Sequence, residues 1–179
     1  MSSLPRKPYR IPNALRDLQL VDFLELTGST TASAEQIGLS QPSVSRRYRA
    51  LAADLGLQHR PDDPIGRRYG HTPWLQLLRQ GIRSHRLGWG VLRIGGVDAE
   101  AMGLKGHYGV EWVTLGRRSW VHWQVLLQLE LLDAVALQKP PVDQASASIS
   151  YRLLQRPNGW LACRPEPQVL GLATRLCEP

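Results

Sequence analysis

The sequence predicts a mainly α-helical N-terminal half built on a helix-turn-helix, then a linker helix and a small α/β half. Three observations carry that expectation. Residues 28–45 read GSTTASAEQIGLSQPSVS, two helical pieces about a Gly-Leu-Ser turn. Beyond Gly90 the three-and-four spacing of helices gives way to short apolar runs divided by turn residues. The charge is also lopsided: residues 1–90 hold 13 Lys and Arg against 7 Asp and Glu, and residues 91–179 hold 9 against 8.

Residues 1–12 mix Pro, Arg, Lys and Tyr without a period and read as a flexible basic arm. Asn13 can cap a first helix that reaches Thr27, with Leu15, Leu18, Val21 or Phe23, and Leu26 on its buried side. Asp17, Asp22 and Glu25 fall on its wet side, and Gly28 ends it. Thr30 or Thr31 starts a second helix, whose Ala32, Ala34 and Ile37 leave room for a close crossing. Gly38 allows the backbone angle a tight turn needs, Ser40 or Gln41 can cap the next helix, and Pro42 fits its first turn.

In that third helix Val44, Tyr48, Leu51 and Leu55 make one apolar stripe. At about 100° per residue, Arg46 and Arg49 point away from the stripe and Arg47 flanks it. Gln41, Ser43 and Ser45 lie near the N-terminal end. Arg holds guanine edges or phosphates, Gln bridges an adenine edge and Ser bonds to either, which is the side-chain chemistry of major-groove readout. A cationic excess confined to this half suits a polyanion partner, because each neutralised phosphate releases counterions.

This segment resembles the winged helix-turn-helix of LysR-type transcriptional regulators. The family pattern lies without gaps on Leu15, Leu18, Gly28, Ser29, Ala34, Ser40, Gln41, Pro42, Val44, Ser45, Leu51, Leu55 and Gly56. Val21, Thr30, Ser33 and Ala52 depart from it. The resemblance implies a DNA-binding domain over residues 13–72, with bases read by Gln41, Ser43, Ser45, Arg46 and Arg49 and phosphates held by Arg47. Residues 57–72 contain Pro-Asp-Asp-Pro and Gly66 between two pieces expected to be extended, as in a wing hairpin. In the family the wing follows the sugar-phosphate backbone, so Arg67 and Arg68 are the next expected DNA contacts, although only Arg60 of the family's motif here is retained.

Thr72 and Pro73 open an amphipathic helix over residues 73–88, in which Trp74, Leu77, Leu78, Gly81 and Ile82 recur at helical spacing. The resemblance makes this a linker helix, with Trp74, Leu77, Leu78 and Ile82 expected at the interface of a homodimer; the competing reading packs it on its own domain. From residue 89 onward, strands are expected at Val91 to Ile94, Val110 to Leu115, Ala134 to Leu137, Ile149 to Leu154 and Trp160 to Cys163. One apolar helix is expected from Ser119 to about Leu131, a loop from Pro140 to Ser148, a turn at Arg156 to Gly159, and a short strand or helix at the end. Leu92, Arg93, Ile94 and Gly95, with Leu132, Asp133, Ala134 and Val135, resemble the opening half of the family's effector domain, which is built like a periplasmic binding protein. Residues 89–179 are thus expected to form a truncated effector-like domain, with inducer sensing reduced or absent and a small-molecule effector doubtful.

Other classes find little support. There is no Gly-x-Ser-x-Gly, phosphate loop, Cys and His dyad or paired acidic motif, so no enzyme and no cofactor is expected. Cys163 and Cys177 lack metal spacing and the five histidines are scattered, so no metal site is expected either. MSSLPRKPYR lacks the apolar core of a signal peptide and no long apolar run follows, which gives the expectation of a cytoplasmic protein without membrane contact. The expected function is sequence-specific binding of double-stranded DNA by a dimeric transcriptional regulator. The alternative is a protein-interaction module that dimerises with a full-length relative and binds little DNA.

Overall fold

Local signals set the first three helices. In a computed structural model, which describes residues 9–12, 15–139, 148–155 and 159–178, α1 (Arg16–Thr27) ends on Gly28. The α2 helix (Thr30–Ile37) is capped by the Ser29 hydroxyl, and α3 (Gln41–Leu55) by Ser40, with Pro42 in its first turn. Gly38 joins α2 to α3 at φ 69°, a left-handed angle that costs a residue with a side chain more. The expected cap Asn13 lies outside the described residues.

Thr72 caps α4 (Pro73–Gly88), and the chain continues through β1 (Leu92–Gly96), β2 (Val110–Thr114), α5 (Arg117–Val121) and α6 (Trp123–Gln128). It then forms β3 (Ala134–Leu137), β4 (Ser150–Leu154), β5 (Gly159–Cys163) and α7 (Pro167–Cys177). The protein is thus mixed α/β, with seven helices and one five-stranded sheet among the described residues. Strand order is β2-β1-β3-β5-β4; β1 pairs in parallel with β2 and β3, and β5 pairs antiparallel with β3 and β4.

The two-residue period of the strands divides their side chains between two cores. Leu92, Ile94, Ala134, Ala136, Leu161 and Cys163 face α7, where Val169, Leu172 and Ala173 cover them. Val113, Val135, Leu137 and Ala162 face the other way, toward Leu126 and Leu127 of α6 and Phe23 and Leu26 of α1. Burial among these groups pushes the Cys163 thiol up to about 12, so it packs as a small apolar side chain.

Helix α1 is therefore shared by both halves, and residues 18–27 are all buried. Asp22 and Glu25, expected on a wet face, are 4% and 0% exposed. Each meets arginine: Asp22 accepts from Arg79 Nε at 2.6 Å and Arg93 Nη1 at 3.1 Å, and Glu25 from Arg68 Nε at 3.1 Å. Asp133 at the start of β3 accepts from Arg83 at 2.8 Å, Arg86 at 2.7 Å and the Arg93 backbone N–H at 2.8 Å. Glu111 of β2 accepts from Arg93 at 2.6 Å and from Gln19 of α1 at 2.5 Å. Burial alone would push the Asp133 and Glu111 carboxyls up, but the adjacent guanidiniums outweigh it and hold both below the usual carboxylate range.

These ion pairs rotate α4 from its expected seating. Its buried residues are Leu75, Arg79, Ile82, Arg83, Arg86 and Leu87, whereas Leu77 is 68% exposed. Ile82, expected at a dimer interface, lies in a core with Leu18, Val21 and Leu57, and Trp74 and Leu78 pack against that same core. The three arginines turn inward because carboxylates of α1, β2 and β3 await them.

Two further expectations are corrected. Residues 57–72 contain no strand: the expected hairpin is reduced to a loop whose arms meet in a backbone bond from the Arg60 N–H to the Arg68 carbonyl at 2.7 Å. The backbone donors of Gly66 and Tyr69 go instead to the Glu25 carboxylate, at 3.0 and 2.7 Å. The single apolar helix from Ser119 is two helices divided at His122. Ser119 of α5 donates to the Glu25 carbonyl at 2.9 Å, while Leu126 and Leu127 of α6 cover the sheet, so the two pieces follow different surfaces. The terminal segment, open between strand and helix, is α7. Residues 140–147 and 156–158, with most of the expected loop and turn, lie outside the described residues.

Candidate nucleic-acid interface

The third helix presents the polar face that its spacing implies. Val44 is fully buried, and Tyr48, Leu51 and Leu55 pack on the helical core, which leaves Gln41, Arg46 and Arg49 exposed and Ser43 and Ser45 half-buried. Gln41, Ser45 and Arg49 recur every fourth residue and therefore form one ridge. Gln41 Nε2 donates to Ser45 Oγ at 3.2 Å, and Arg49 Nε donates to the Ser45 carbonyl at 3.3 Å. Ser40 and Ser43 hydroxyls lie 2.8 Å apart, and Arg46 Nη2 reaches Ser43 Oγ at 3.5 Å. All of these bonds lie at the exposed surface.

Two residues outside the expected set hold the face in place. Thr30, at the start of α2, accepts from Gln41 Nε2 at 3.2 Å, so the side chain bridges both helices of the turn. Asp17 of α1 pairs with Arg47 at 3.1 Å, with the two side chains 52% and 39% exposed. Arg47 is therefore tied back beside the ridge by a surface ion pair of modest strength. Asp17 was legible as polar and exposed, but nothing local joins it to a residue thirty positions away.

The expected pair in the 57–72 segment separates. Arg67 is exposed. Arg68 is 6% exposed and bonds to both the carboxylate and the carbonyl of Glu25, so it is turned from any phosphate and braces the loop. Arg60 is exposed and donates to Gln58 at 2.6 Å. Tyr48 of α3 donates to the Tyr69 carbonyl at 3.0 Å, and His59 stacks on Tyr69 at 4.5 Å between ring centroids. Burial, then Tyr69 and Glu25, push the Tyr48 phenol up to about 12, so it stays a neutral donor that fastens the loop to α3.

The second helix also closes one edge of the sheet. Gln36 donates to the Trp112 carbonyl at 2.6 Å and accepts from the Thr114 N–H at 3.3 Å, taking the place of a further strand beside β2. Together with the α1 ion pairs, this fixes α2 and α3 against the sheet. Among the described residues no group of three or more His, Cys, Asp and Glu could hold a metal, and no helix is long and apolar enough to cross a membrane.

No protein-family model matches the chain, and no curated protein matches it. Among solved structures it is similar to LysR-family regulators over about four-fifths of its length. HinK, a LysR family transcriptional regulator from Pseudomonas aeruginosa, is 22% identical over 78% of this chain and 51% of its own, at TM-score 0.32. A full-length OxyR variant from Pseudomonas aeruginosa is 16% identical over 81% of this chain and 55% of its own, at TM-score 0.39. An OxyR variant from Corynebacterium glutamicum is 17% identical over 83% and 52%, at TM-score 0.36. The chain spans about half the length of these structures.

Proposed function

We propose that the chain is a sequence-specific DNA-binding transcriptional regulator of LysR type. The observation that carries the reading is the polar ridge of Gln41, Ser45 and Arg49 beside Arg46, on a helix whose apolar stripe is anchored in the core. In this reading residues 13–72 are the winged helix-turn-helix unit, with the 57–72 loop as a wing that lacks strands. Residues 73–88 form the linker helix, and residues 89–179 form a reduced effector-like unit. Gln41, Ser43, Ser45, Arg46 and Arg49 read bases, while Arg47 and Arg67 hold phosphates.

A homodimer on an inverted repeat is the assembly that this reading expects. Ile82 is engaged within its own chain, so the contact is assigned to the outer face of α4, where Leu77 is exposed. Inducer sensing in a two-lobed cleft is taken as reduced, since β4 and β5 pair directly up to Leu154 and Gly159 with no second lobe between them.

Arg46→Ala is expected to weaken binding to a selected duplex by about 1–3 kcal/mol while changing random DNA less. Arg67→Ala is expected to weaken both alike and to make the salt dependence shallower by about 1. Titrations of both duplexes over a range of salt check this. Equal losses on selected and random DNA for Arg46→Ala would remove the base-reading role.

A further inference from the structure

We propose that Arg117 and Arg118, which belong to the α/β half, hold backbone phosphates of the same duplex and extend the contact beyond α3. The inference rests on the DNA-binding reading above. Both arginines are exposed at the start of α5, on the rim of a cleft of about 440 Å³. Thr27, Gly28, His59 and Arg68 also line it, and no carboxylate is among its lining residues. Arg68 is neutralised by Glu25, so Arg117 and Arg118 supply the outward charge. Asp63, in the neighbouring loop, lines a different cleft with Arg60 and Arg67.

The start of α5 is mounted directly on the turn that opens the helix-turn-helix. The Gly116 N–H donates to the Leu26 carbonyl at 3.1 Å. A Cβ at Gly116 would stand 2.2 Å from the Thr27 carbonyl oxygen, so only glycine permits this approach. Arg118 Nη1 donates to the Pro61 carbonyl at 3.0 Å, which ties the rim to the 57–72 loop while other guanidinium donors remain.

From Gly28 at this cleft the chain runs through Ser29 to Thr30, whose hydroxyl accepts from Gln41. A recognition helix in the major groove leaves the preceding helix to cross the backbone. The start of α2 therefore lies against the phosphates when Gln41 reaches a base, and Gly116, next to Arg117, packs on the Thr27–Gly28 turn that leads into that start. Two cations on a rigid mount beside a bound backbone form a phosphate clamp contributed by the second half of the chain.

The test compares wild type, Arg117→Ala and the Arg117→Ala/Arg118→Ala double variant on a selected duplex and a random duplex. Exposed Arg117 makes the single variant safe for folding, and its thermal midpoint is checked beside wild type. Both variants are expected to weaken the two duplexes by the same factor. Between about 50 and 200 mM salt the slope of log K against log salt is expected to become shallower by about 0.9 for the single variant and about 1.8 for the double. Wild-type affinity and slope in both variants, with Arg46→Ala still weakening the selected duplex, would overturn this inference alone. A loss confined to the selected duplex would also overturn it, since phosphates carry no sequence. Absence of duplex binding by wild type would overturn the DNA-binding reading and the clamp with it.

Discussion

Asp133→Ala is expected to lower the stability of the protein by about 3–5 kcal/mol, because it removes the buried carboxylate that Arg83 and Arg86 share and leaves Arg83 only Glu166 and Arg86 only the more distant Glu111. Asp133 is fully buried and joins Arg83 and Arg86 of α4 to the backbone of β1, at 2.7–2.8 Å in each case. Arg86 is 1% exposed, among the described residues its Nε has no partner, and its other carboxylate, Glu111, stands 3.8 Å away, so the lost bonds are replaced only in part. Chemical denaturation followed by tryptophan fluorescence measures the change. A loss below about 1 kcal/mol would mean that the arginines find water or another carboxylate, since surface pairs carry about that much.

The same cluster sets the response to acid. The Asp133, Glu111 and Glu166 carboxyls are all held below their usual values: burial raises each, and arginines lower each by more. A depressed carboxylate contributes stability that is complete above its unfolded pKa, near about 4. That contribution disappears as pH falls through the lower folded values. Stability is therefore expected to be flat in these groups above about pH 5 and to fall steeply below about pH 4, with Asp133→Ala showing a shallower fall.

Glu25→Ala is the second large effect, also expected at about 3–5 kcal/mol, with a different local signature. Its carboxylate accepts from Gly66 N–H, Tyr69 N–H and Arg68 Nε, and so takes the place of a strand ladder in the 57–72 loop. Removal leaves buried Arg68 uncompensated and two backbone donors unpaired. Hydrogen exchange should show protection lost first in residues 57–72, and binding to random duplex should weaken because Arg67 rides on that loop. Uniform loss of protection across the chain would contradict the assigned role.

What the sequence disclosed divides along sequence distance. Ser29, Gly38, Ser40 and Pro42 act within a turn of their own position, so α2, the turn and α3 are readable from neighbours alone. Strands β1, β3 and β5 are readable because each is a short apolar run. The seating of α4 is not, since Arg79, Arg83 and Arg86 are buried only by virtue of carboxylates 47–57 residues away. An arginine counted as polar leaves Trp74, Leu77, Leu78 and Ile82 as one outward seam, and the structure keeps only Leu77 outward while Ile82 is buried in its own chain.

The candidate site follows the same division. Gln41, Ser43, Ser45, Arg46 and Arg49 share one helix, and helical geometry alone sets Gln41, Ser45 and Arg49 on one ridge, Ser43 and Arg46 on another, and all five outside the apolar stripe. Arg68 could not be distinguished from Arg67 by sequence, because the difference is Glu25 lying beneath one of them. Arg117 and Arg118 stand at the head of an apolar stretch, and the contacts of Gly116 and Ser119 with the end of α1, remote in sequence, bring them to the turn before α2.

The most direct test of the DNA-binding account is selection of bound oligonucleotides from a random pool at physiological salt, followed by sizing of the complex on the enriched sequence. The account predicts an enriched inverted repeat that binds two chains and loses its enrichment with Arg46→Ala. Binding that is weak, steeply dependent on salt and without enrichment would contradict it.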